Sequence, residues 1–145
     1  MTIAQGFVDD VYFVRWIDAE AADAETIVAE VQRERSRREG PLHYIAIIGE
    51  HLPPPPDDVR AAMRENVEAL LEFCDTVHLV IEGRGFRRAM ARSIGTSIFL
   101  LSRHRGRTFA HDTVPHALER VGYDAPHIAT VMKRANEAGL LSAAT

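Results

Sequence analysis

Apolar residues along this chain fall into two kinds of stretch. Short runs rich in β-branched and aromatic residues alternate with longer segments in which apolar positions recur every three or four residues. Runs of the first kind fit strands and those of the second fit helices with one buried face. Residues 2–7 predict a short strand, and Asp9-Asp10 a turn into a stronger one over 11–17 (VYFVRWI). Asp18 or Asp23 then caps a helix whose Ala24, Ile27, Val28 and Val31 face a sheet. Its last part, 32–39, is charged; Arg37 and Arg38 suit a helix C-terminus, and Gly40 supplies the stop.

Residues 42–49 (LHYIAIIG) are short, continuously apolar and closed by glycine, as a strand buried on both faces would be. The prolines at 53–56 predict an extended connector, since proline fixes φ and cannot donate to a ladder. Asp57 caps the next helix, with Val59, Met63, Val67, Leu70 and Leu71 on one side, and 76–81 (TVHLVI) is the next strand. Gly83 and Gly85 break it and open a helix with an inward stripe of Phe86, Met90, Ile94, Ile98 and Leu101. A short strand lies around 108–110. Thr113 or Asp112 caps a helix to Val121 with Pro115 in its first turn, and 127–138 forms a last helix before Gly139. Val14, Ile47, Val80 and Phe109 are expected as central strand residues beneath Ile27, Leu70 and Ile94.

The order β-β-α-β-α-β-α-β-α, plus an extra C-terminal helix, predicts an α/β fold. Its mixed sheet has parallel crossovers, and its first strand is added by a hairpin. We divide the chain into an α/β domain over 1–122 and a helical extension over 123–145. This order of elements over about 2–121 resembles the STAS domain, the fold of anti-sigma-factor antagonists. The resemblance implies a regulatory module that binds another protein and is not an enzyme. Phosphorylation-switched members carry an Asp-Ser-x-Gly-like motif before their second helix. The corresponding stretch here, GEHLPPPPDD at 49–58, has no hydroxyl, so that switch cannot operate there. Asp57 and Asp58 are read as a cap and a dipole complement.

Composition narrows the partners. The chain has 145 residues and a formal charge of -4, against the basic surface a nucleic-acid binder needs. One cysteine, Cys74, excludes an intrachain disulfide and a thiolate zinc cage; it ends an apolar helix face and reads as a buried, inert thiol. No secretory leader and no apolar run long enough to span a bilayer is evident, so a cytoplasmic location is expected. Neither a cofactor nor a metal is called for.

The most suggestive chemistry is Gly83-Arg84-Gly85 with Arg87 and Arg88. A glycine-rich strand-to-helix turn exposes backbone amides, and three guanidinium groups around it could hold a phosphate, a carboxylate or an acidic partner. A solvated helix face with Glu82 neutralising the arginines is the plainer alternative. The cluster Arg103-His104-Arg105-Gly106-Arg107 suits the last carbonyls of the helix before it. His43 and His78 fall in buried strands and read as hydrogen-bonded structural residues; His111 and His116 do not have metal-motif spacing. His51, with Glu50, is the lone acid-base candidate. A protein partner is therefore expected first, a small anion or nucleotide at the Gly83 turn second, and an enzyme third, with a homodimer left open.

Overall fold

The computed structural model describes residues 3–18, 20–49, 56–83, 89, 93 and 106–141. Strand β1 (Ile3–Val8) turns through Asp9-Asp10 into β2 (Val11–Trp16), antiparallel, with Val8 opposite Val11. Asp9 sits at φ 51°, a left-handed conformation that aspartate tolerates better than most side chains. Helix α1 (Ala21–Arg37) leads to β3 (His43–Ile48), and α2 (Asp57–Leu70) leads to β4 (Thr76–Ile81). Strand β5 (Thr108–His111), α3 (Val114–Val121) and α4 (Ala125–Glu137) follow. The sheet order is β1-β2-β3-β4-β5, parallel from β2 onward, so the chain is a mixed α/β fold.

Helices cover both faces. On one, Ile27 and Val31 of α1 and Val67 and Leu70 of α2 pack on Tyr12, Val14, Tyr44, Ala46 and Leu79. On the other, Val114 and Leu118 of α3 and Val131 and Ala135 of α4 pack on Val11, Phe13, Ile45, Ile47 and Val80. Each fully buried aliphatic or aromatic side chain contributes roughly 1.5–3 kcal/mol by leaving water. Two sequence expectations need correction here. Ile47 and Val80 are buried, but beneath α3 and α4 rather than under Ile27 and Leu70. Phe109 is only half-buried, because β5 is an edge strand. Ile94, with the rest of its stripe, lies outside the described residues.

Local signals explain most boundaries. Thr113 caps α3 by accepting from His116 N, and Pro115 occupies its first turn. In α1 the N-cap is Glu20, neither Asp18 nor Asp23, and Asp23 Oδ2 accepts from Glu20 N at 3.0 Å. Pro56, rather than Asp57, precedes α2 in extended conformation, and Asp57 pairs with Arg60 inside the first turn.

The hairpin turn is held from both sides. Arg38 donates to Asp9 O at 2.6 Å, and Arg134 and His127 of α4 bond the two oxygens of Asp9 at 2.6 and 2.7 Å. The bond from His127 holds the Asp9 carboxyl below its usual range, helped by Arg134.

Candidate functional site

Open parallel sheets place ligands outside the carboxyl ends of their strands. At that edge Arg15, near the end of β2, is largely buried; its Nη1 donates to Glu82 Oε1 at 2.9 Å and to Leu141 O at 2.8 Å. Glu82 N donates to Ile48 O, which carries the β3–β4 ladder one step beyond the strand. Gly83 then takes φ 108°, a turn that suits glycine because it has no Cβ to clash. The chain therefore breaks from β4 at Gly83, and the acid before it points back to Arg15. Arg84, Gly85, Arg87 and Arg88 lie outside the described residues, as do Glu50 and His51.

Away from this edge, on the α3–α4 face, the register brings together three strand histidines. His43 pairs with Thr76, His78 with Phe109, and Val80 with His111. His43 Nδ1 lies 2.6 Å from Thr76 Oγ1, which lies 2.8 Å from His78 Nε2, and His78 Nδ1 is 2.9 Å from His111 Nε2. His78 is fully buried. Burial, reinforced by His111, His43 and Arg120, pushes its pKa down to about 3, and burial also lowers His43 and His111. These rings are neutral at neutral pH; His78 and His111 are hydrogen-bonded directly, and His43 reaches His78 through the Thr76 hydroxyl. His78 stacks on Phe109 with centroids 5.3 Å apart, and the Arg120 guanidinium lies over Phe109 at 4.5 Å. The sequence identified His43 and His78 as buried and hydrogen-bonded; it missed that they join through Thr76 to His111. Three histidines on separate strands were the available signal, but the pairing register was needed to connect them.

No group of three or more potential metal ligands occurs among the described residues. Cys74 is buried, and its thiol pKa is raised to about 12 by desolvation and by Asp75. Arg107 bonds carbonyls at and after the end of α2: its Nη2 donates to Leu71 O at 2.7 Å and Cys74 O at 2.5 Å, while the helix its cluster was expected to serve lies outside the described residues. Beneath α2 lies a cavity of about 30 Å³, lined by Trp16, Tyr44, Met63, Asn66, Val67 and Leu79 among others. Trp16 Nε1 is buried beside it, with no hydrogen bond of good geometry to a described residue. The cavity has room for a water molecule and little more. No described helix is long and apolar enough to cross a membrane.

Comparison with protein-family models, with curated proteins and with solved structures found no match to this chain.

Proposed function

We propose that the chain is a non-enzymatic regulatory module of STAS-like type, working in the cytoplasm, which binds another protein through the turn after β4. Gly83, Arg84, Gly85, Arg87 and Arg88 form the center of that surface. What supports the reading is the pairing of Glu82 with Arg15. It ties the acid before the turn to the sheet, and on this reading the arginines that follow it in sequence supply the charge for an acidic partner. The regulatory reading itself comes from the resemblance in the order of elements along the chain.

The test compares wild type with a variant carrying Arg84→Gln, Arg87→Gln and Arg88→Gln, both used as bait in native lysate and both melted. Support is one defined protein retained by wild type and lost by the variant at equal melting temperature, with retention weakening as salt rises. Equal retention by both baits removes the arginines from the interface. Titration with inorganic phosphate and nucleotides separates the other use of the same turn. Saturable binding lost in the triple variant, with no retained protein, would make it an anion site.

A further inference from the structure

The row of His43, Thr76, His78 and His111 contains three hydrogen bonds, and each link holds one proton. The Thr76 hydroxyl has a single proton and stands between two ring nitrogens. If it donates to His78 Nε2, it must accept from His43 Nδ1. His78 then carries its proton on Nδ1 and donates to His111 Nε2, which leaves the His111 proton on Nδ1. If Thr76 instead donates to His43, every link reverses, and all three rings carry the proton on Nε2. In neutral form the rings share one tautomer, whichever it is.

We propose that this row is a proton-coupled relay, in which charge at one end fixes the hydrogen-bond direction and tautomer at the other. A protonated His43 donates from Nδ1 and requires the first direction. A protonated His111 donates from Nε2 and requires the second. With both ends charged, Thr76 would receive two N–H bonds and its own proton would have no acceptor in the row, so the row would lose one of its donors' partners. The two protonations therefore oppose each other. Passing from the first direction to the second takes up one proton at His43 Nε2 and releases one from His111 Nδ1. Each link breaks one N–H or O–H bond and forms another, with no net change of charge.

The surroundings bias the relay. His43 faces the acids Asp75 and Asp10 besides Thr76. His111 faces His116 and Arg120 of α3 as well as His78, with Asp112 as its nearby acid. His78, in the middle, faces His43, His111 and Arg120. Burial opposes a proton at both ends and more deeply at His43, whereas the neighbouring charges favour the His43 end, beside the hairpin turn; where the charges prevail, acidification sets the first direction.

The test is nitrogen NMR of the three imidazoles in the isotopically labelled full chain, followed from about pH 8 downward. The expected result is one common tautomer in the neutral protein. His43 and His111 should then protonate in two steps separated by at least about one pH unit, a tenfold difference in proton affinity. Thr76→Val keeps the shape and removes the link, so His43 should no longer follow the tautomer of His78, while His78 and His111 stay matched. Thr76→Ser should retain the coupling. Unlike tautomers in the neutral wild type would overturn the relay, as would a His43 that still follows His78 in Thr76→Val. The wild-type spectrum decides the question by itself if the valine variant does not fold.

Discussion

On the face covered by α1 and α2, three buried groups resist losing a proton: Tyr12, Tyr44 and Cys74. On the face covered by α3 and α4, three groups resist gaining one: His43, His78 and His111. Burial disfavours the charged form on both faces, so it raises the acids of the first and lowers the bases of the second. The first face is rich in aromatics, with Phe7 stacked on Tyr12 at 4.4 Å and the Tyr12 hydroxyl bonded to Gln5. The second is apolar along β2 and the rest of β3 and carries its polar row from His43 of β3 across β4 to β5. The most deeply buried titratable groups of the two cores therefore weigh on stability at opposite ends of the pH scale.

The largest expected effect tests whether both faces are cores of equal standing. Ile27→Ala on the first face and Ile47→Ala on the second should each cost ~2–5 kcal/mol, because both side chains are fully buried. Urea unfolding of the two variants measures this. A loss of a few tenths at either position would mean that its helices cover the sheet without packing into it.

A smaller effect separates the faces by pH. His78 is neutral in the folded chain, whereas an unfolded histidine takes a proton below about pH 6.5. The unfolded state therefore binds more protons between about pH 6.5 and the folded value of about 3. Stability is full above that window and is lost as pH falls through it. Two pH units below 6.5 the loss from this one group is roughly 2–3 kcal/mol. For Tyr44 the sign is opposite. Its folded pKa is raised by burial, so the unfolded chain ionises first and stability falls as pH rises above about 10. His78→Gln should flatten the acid limb and leave the alkaline one, and Tyr44→Phe should do the reverse. Urea midpoints across pH read both. An acid limb unchanged in His78→Gln would place the titration elsewhere.

How much of this was legible depended on the kind of signal. Strands β2, β3 and β4 announce themselves through β-branched and aromatic runs, and Thr113, one of two candidate caps, marks with Pro115 the start of α3. Faces were harder to assign. A run such as HYIAII is apolar at both parities, so it cannot say whether Ile47 lies under α1 and α2 or under α3 and α4. The same holds for the histidine row, which exists only once β3, β4 and β5 are set in register. At the candidate site the glycine break after β4 was readable at Gly83, but the partner of Glu82 was not. Arg15 comes from a strand sixty-odd positions earlier, and nothing local links the two.

The smallest effect concerns how the helices over each face end. Helix α3, on the second face, stops at Gly122 with φ 112°, and its N–H bonds back to Glu119 O and Leu118 O. A side chain there is strained whatever the space around it, so Gly122→Ala should cost ~1 kcal/mol. Helix α1, on the first face, was expected to stop at Gly40 in the same way, and it does not. Its cap is Arg38, in extended conformation, and Arg35 Nη2 donates to Arg38 O at 2.7 Å and to Gly40 O at 2.6 Å. The side chain of Arg35 thus holds the exit from the helix by bonding the carbonyls of Arg38 and Gly40, with no left-handed glycine in the turn. Gly40 itself is not left-handed, and a Cβ there would meet nothing within 4 Å. Gly40→Ala should therefore be neutral, or stabilising by up to ~1 kcal/mol, since alanine restricts the unfolded chain without straining the folded one. Thermal melting of the two single variants gives the contrast. Equal losses would mean that Gly40 needs a conformation closed to alanine, and that both faces end their helices by the same device.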